Sequence, residues 1–141
     1  MSAHVMSATR NPTIFISEED FDRLDRLATS GQSANLPVAA FLAAELDRAV
    51  VRPADEIAPD IVTMNARITF RIGDEPEAQT RTLVYPEDYS AGRSDADRLS
   101  VMTPLGAALI GLRAGDHIEY ETVDAARRRV AVEAVVRPSR R

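Results

Sequence analysis

The chain of 141 residues contains no cysteine, no tryptophan and no lysine. Without cysteine there is no disulfide, no thiolate metal site and no thiol nucleophile. Aromatic residues are few, four Phe and three Tyr. That leaves little from which to build a stacking platform for single-stranded nucleic acid. No apolar run approaches the ~20 residues that a membrane span needs. Met1 to Thr9 lacks both the basic and the apolar stretch of a secretory leader, so a cytoplasmic location is expected. The two histidines, His4 and His117, have no second His or Cys at ligand spacing, so no metal and no cofactor is expected. No nucleophile-elbow pattern is present either.

What is present is a mildly acidic chain, with formal net charge −5 and all seventeen basic residues arginine. Residues 1–60 carry five Arg against ten acids, and residues 61–141 carry twelve of each. Neither half offers the basic field of an autonomous DNA binder, so nucleic acid is expected only indirectly, through a protein partner. Arg127-Arg128-Arg129 is the one basic run, and it fits a solvated hairpin end as well as a phosphate contact.

The hydrophobic period changes once along the chain. Residues 1–13 are small and polar and read as a flexible tail. Ser17 followed by Glu18, Glu19 and Asp20 reads as a capped helix start, with acids at the positive end of the helix dipole. Phe21, Leu24, Leu27 and Ala28 follow at helical spacing. After the break at Thr29 to Ser33, Pro37 opens a second helix whose apolar stripe runs Val38, Phe41, Leu42, Leu46, Ala49 and Val50, ending before Pro53. Residues 14–53 therefore predict a short helical hairpin whose stripes pack mainly on each other as an antiparallel coiled coil. Residues 54–60 read as a polar linker.

From residue 61 the period is that of strands. Val62, Met64, Ala66, Ile68 and Phe70 alternate with polar residues, and Thr80 to Tyr85 forms a second strand. Glu87 to Arg98 is a loop with four acids, and Leu99 to Val101 a short strand. Thr103-Pro104 predicts a capped short helix burying Leu105, Ala108, Leu109 and Leu112. Strands His117 to Thr122 and Arg128 to Arg137 close the chain, the latter with Val130, Val132, Ala134 and Val136 on one face. The class is α+β, with residues 61–138 as one domain.

The stretch Ser100-Val101-Met102-Thr103-Pro104-Leu105-Gly106-Ala107-Ala108-Leu109-Ile110-Gly111-Leu112-Arg113-Ala114-Gly115-Asp116 resembles the C-terminal signature of the Gre transcription factors. Met64 to Arg67, Arg81 to Pro86, Leu36-Pro37 and Glu45 to Ala49 are similar to the Rnk branch of that family, the regulators of nucleoside diphosphate kinase. The resemblance covers residues 15–138. It implies an FKBP-like C-terminal domain, with an antiparallel sheet and one short helix, that docks on RNA polymerase at the β′ rim beside the secondary channel. Thr103, Pro104, Leu105, Gly106 and Asp116 are the contact residues it implies.

One departure bears on function. Cleavage-stimulating Gre factors have a long coiled coil tipped with acids that help hold a catalytic magnesium ion. Here the tip, Ala28 to Asn35, has no acid, and a first helix of about twelve residues reaches only about 18 Å. Binding without cleavage is therefore expected, in competition with longer factors. A regulator of nucleoside diphosphate kinase or of stress signalling, acting without polymerase, is the alternative. An FKBP-like fold does not bring prolyl isomerase activity with it, since only Phe70, Tyr85, Tyr89 and Tyr120 could line an aromatic pocket.

Overall fold

Ser17 caps the first helix as its sequence requires: the Asp20 amide donates to Ser17 Oγ at 3.1 Å. The computed structural model describes residues 11–29, 36–88 and 97–138. The expected tail up to residue 10, most of the hairpin tip and most of the loop after Glu87 lie outside the described residues. The elements are β1 (Phe15–Ser17), α1 (Glu18–Thr29), α2 (Pro37–Arg48), β2 (Val50–Arg52), β3 (Arg67–Ile72), β4 (Gln79–Val84), β5 (Arg98–Ser100), α3 (Pro104–Leu109), β6 (His117–Glu121) and β7 (Arg127–Val136). This is an α+β fold, with a five-stranded sheet of order β5-β4-β3-β7-β6 and a separate pair, β1-β2.

The hairpin is clamped at its base. β1 and β2 pair in parallel, with Phe15 opposite Val50 and Ser17 opposite Arg52. Helix α2 therefore ends at Arg48, with Ala49 extended at ψ 147°, rather than running on to Val50 as the stripe suggests. The cause is pairing: the Val50 amide donates to Ile14 O at 2.9 Å, which a helical Val50 could not do. β1 is also tied to the other half of the chain, because the Phe15 amide donates to Gly111 O at 3.1 Å.

The helices do not close on each other alone. Leu24 and Ala28 of α1 and Leu42 and Leu46 of α2 enter one apolar cluster with Phe70, Leu83, Leu109 and Val132 of the sheet and α3. Fully burying a Leu or Phe contributes roughly 1.5–3 kcal/mol, so sharing one core ties the hairpin to the sheet. The segment expected as a polar linker contains a short 3₁₀ turn, Ala54–Glu56. It buries Ile57, whose carbonyl accepts from Arg137 Nη1 at 2.8 Å.

Three strand expectations are corrected. Residues 61–66 alternate in sequence but are not a ladder strand: Asn65 turns at φ +71°, and the ladder begins at Arg67. Val62 instead exchanges backbone hydrogen bonds with Leu112 and Gly111. In β7 the register against β3 shifts between Thr69 and Phe70, which face Ala134 and Val132. Glu133 is thus an extra residue, and such a bulge reverses the faces beyond it. Val130 and Val132 are buried, while Ala134 and Val136 are exposed. The sheet is also mixed rather than antiparallel, since β5 runs parallel to β4. Arg98 pairs with Thr82 and Ser100 with Val84, so β5 follows only the last three residues of β4.

Candidate partner-docking site

The seventeen residues from Ser100 to Asp116 form a β5–α3–β6 arc whose geometry starts at Thr103. Its hydroxyl donates to Ser100 O at 2.7 Å and accepts from the Gly106 amide at 3.1 Å. Pro104 follows at the first helical position. Gly106 is required by approach rather than by φ: a Cβ there would lie 2.1 Å from Ser100 O. Gly111, at φ +82°, lets the chain turn out of α3, and a Cβ there would lie 2.8 Å from Ile14 Cβ in the incoming N-terminal segment. Of the expected buried face, Ala108, Leu109 and Leu112 are buried, Leu105 is only half-buried, and Ala107 takes a buried place as well.

Asp116 closes the turn after α3. Its Oδ2 accepts from the Arg113 amide at 3.0 Å, and its carbonyl accepts from the Val132 amide at 2.9 Å. It precedes β6 at His117, whereas the other end of β6, at Glu121, faces the region of Thr103. Five strand residues at ~3.3 Å each separate those ends by about 16 Å. The expected contact residues therefore do not form one point. Thr103 and Pro104 line an open groove, Leu105 packs against the core beside it, Gly106 is buried, and Asp116 sits at the far end of β6.

The groove has a volume of about 520 Å³. Met102, Thr103 and Pro104 line it, as do Glu121 to Val123 with Ala125. The wall from the hairpin is the start of α2: Leu36, Pro37, Val38 and Phe41. Sequence reasoning missed this wall, because Val38 and Phe41 read as ordinary members of a core stripe. Val123 was the available signal, a large apolar residue in the turn between β6 and β7, and it is 91% exposed.

A second cavity of about 540 Å³ lies at the hairpin base, lined by Glu19, Asp20, Thr63, Met64, Asp55 and Arg137 among others. Asp20 is its central group. Oδ2 accepts from the Met64 amide at 3.3 Å and Oδ1 from the Tyr85 hydroxyl at 3.3 Å. Burial raises the Asp20 carboxyl above the usual range despite these hydrogen bonds. Burial, then the neighbouring Asp20 carboxylate, pushes the Tyr85 phenol up. The Arg23 guanidinium stacks 3.7 Å from the Tyr85 ring centroid and pairs with Glu87.

The remaining acids of the helix start, Glu18, Glu19 and Asp22, are exposed. Among the described residues no three His, Cys, Asp or Glu side chains converge as a metal site. Arg127 to Arg129 are exposed, with Arg127 paired to Glu119 at 3.1 Å, and His117 is exposed at the start of β6. His4 and Tyr89 lie outside the described residues.

Comparison with known proteins places this arc in context. Residues 57–137 match the family profile "Transcription elongation factor, GreA/GreB, C-term", and residues 12–51 match "Rnk N-terminus". The chain belongs to the GreA/GreB family, in its Rnk branch. It is 46% identical over 110 residues to the "Regulator of nucleoside diphosphate kinase" of Escherichia coli K12, covering 78% of this chain and 79% of that protein. The protein of the same name from Shigella flexneri matches equally. Among solved structures, a "Prokaryotic transcription elongation factor GreA/GreB from Nitrosomonas europaea" superposes with TM-score 0.68 at 37% identity, over 89% of this chain and 98% of that one. The Gre signature coincides with β5, α3 and the turn at Asp116. The Rnk match coincides with the clamped hairpin, β1 to β2. Among the described residues no helix is long and apolar enough to cross a membrane.

Proposed function

We propose that this GreA/GreB-family chain is a cytoplasmic transcription regulator that docks on RNA polymerase at the β′ rim beside the secondary channel. It does so without stimulating transcript cleavage. The observation that carries this reading is the apolar groove at Thr103–Pro104, on the segment that bears the Gre signature. In this reading residues 61–138 act as an FKBP-like docking domain, and residues 14–53 as a short coiled coil that competes with longer Gre-type factors for the channel entrance. A contact face that includes both Pro104 and Asp116 reaches from one end of β6 to the other. Nucleic acid is met only through the polymerase.

The absence of cleavage follows from reach and charge. Helices α1 and α2 have twelve residues each, about 18 Å. The segment between them, Ser30-Gly31-Gln32-Ser33-Ala34-Asn35-Leu36, carries no carboxylate for a magnesium ion. In this reading the protein acts as a regulator rather than an enzyme.

The test is a binding titration of the chain against purified core RNA polymerase, followed by a cleavage assay on stalled elongation complexes. Saturable binding that Pro104→Ala or Asp116→Asn weakens, with no acceleration of cleavage, is the expected result. No binding, or robust cleavage, overturns it. A second reading rests on the name of the E. coli relative, a regulator of nucleoside diphosphate kinase. A change in purified kinase activity on adding the chain, in the absence of polymerase, would favour that reading.

A further inference from the structure

Among the described residues three large hydrophobic side chains are exposed: Leu36 at 48%, Val123 at 91% and Val136 at 63%. Two of the three, Leu36 and Val123, line the groove at Thr103–Pro104, and they come from opposite halves of the chain. Leu36 opens α2, and Val123 lies in the turn between β6 and β7. Exposed apolar side chains gathered on one concave face mark a surface that is covered by a partner. The groove is therefore not a feature of the Gre signature alone. The signature, the hairpin and the β6–β7 turn each supply part of its lining.

Among the described residues the one charged side chain in its lining is acidic. Glu121 lines the groove, and Asp124 stands on the same turn as Val123. The Thr122 hydroxyl donates to Asp124, which holds the Asp124 carboxyl below the usual range and keeps it anionic. Arg127 of the neighbouring strand is engaged by Glu119 at 3.1 Å, and the charge of Arg128 helps hold Asp124 anionic. An apolar trough with acids along one lip is complementary to an apolar ridge flanked by arginine or lysine.

We propose that the docking surface is bipartite. Leu36, Val38 and Phe41 of the hairpin act as contact residues equal in weight to Pro104 and Val123, and together they grip an apolar, basic-flanked segment of the polymerase. This rests on the polymerase-binding reading above. It adds that the hairpin is part of the grip, so that occupying the groove also fixes the hairpin against the domain. A footprint confined to the C-terminal half would leave Leu36 irrelevant to affinity.

The experiment compares four full-length variants with the wild type in titrations against purified core RNA polymerase. Each is first checked for an unchanged unfolding transition. Leu36→Ser and Val123→Ser both truncate exposed side chains, so folding is preserved. Each weakens binding about fivefold or more, the usual cost of losing a buried interface anchor. Glu121→Lys weakens binding and flattens its dependence on salt. Val136→Ser, exposed on the far sheet face, binds as the wild type does. Wild-type affinity in Leu36→Ser alongside a loss in Val123→Ser overturns the bipartite surface while leaving polymerase docking intact. Equal loss in Val136→Ser overturns it as mere adhesiveness. A concentration-dependent dimer that Leu36→Ser abolishes, seen by sedimentation, overturns it in favour of a second copy as occupant. If the wild type itself shows no binding, the polymerase reading fails and this inference falls with it.

Discussion

The Tyr85 hydroxyl donates to Asp20 Oδ1 across 3.3 Å, joining the first turn of the hairpin to the end of β4. Asp20 occupies the third position after the Ser17 cap, where an acid ordinarily reaches back to the cap residue's own amide. Here it reaches across to Met64 and Tyr85 instead, so a local capping signal serves a long-range contact.

That contact sets a pH dependence. Burial raises the folded-state value of Asp20 above its unfolded value, so the folded state holds the proton more tightly. The Asp20 contribution is then most favourable below the unfolded value, about 4. It is lost as pH rises through the raised folded value. Asp20→Asn removes this slope and adds a pH-independent offset from the loss of one acceptor. Denaturant unfolding of both proteins across a pH series reads the difference. The variant should gain on the wild type as pH rises, and parallel curves would show that Asp20 does not titrate differently on folding.

Gly106 is fixed by contact with backbone. Gly106→Ala places a Cβ 2.1 Å from Ser100 O, where neither group can move without displacing β5 or α3. The expected cost is about 3 kcal/mol. Gly73→Ala, with φ +56° but open space around it, should cost only about 1 kcal/mol. Thermal or denaturant unfolding separates the two, and equal losses would refute the close approach.

The buried ion pair of α2 gives a third expectation. Glu45 is buried, and Arg48 meets it at 2.8 Å while also donating to Pro12 O. Arg48→Ala leaves a buried carboxylate without its partner and should cost about 3 kcal/mol. Arg127→Ala, at an exposed pair with Glu119, should cost under about 1 kcal/mol. Equilibrium unfolding of the two variants tests the contrast.

Much of this was legible in the residues. Ser17 and Thr103 as caps, Pro37 and Pro104 at helix starts, and the strand periods near Arg67, Gln79, His117 and Arg127 all rest on local chemistry, and the structure places elements there. The misses share one cause, that pairing partners distant in sequence decided the outcome. Val50 left the helix because β1 offered it a strand partner. Ile61 to Ala66 alternates like a strand, yet Asn65 turns and Val62 pairs with the chain leaving α3. The reversal at Glu133 comes from a register shift against β3 that alternation within β7 cannot reveal.

The same division runs through the candidate site. Local sequence dictated the α+β class, the hairpin ahead of the strands, and the Ser100–Asp116 stretch with its capped helix and obligatory small residue at Gly106. These depend on spacing, propensity and steric rules acting within a few residues. Long-range packing set Asp116 and Thr103 at opposite ends of β6. Packing likewise brought Leu36, Phe41 and Val123 to one groove and gave the hairpin and the sheet a common core. Those relationships join residues roughly ten to ninety positions apart, and they exist only once burial of a common apolar core has fixed the packing.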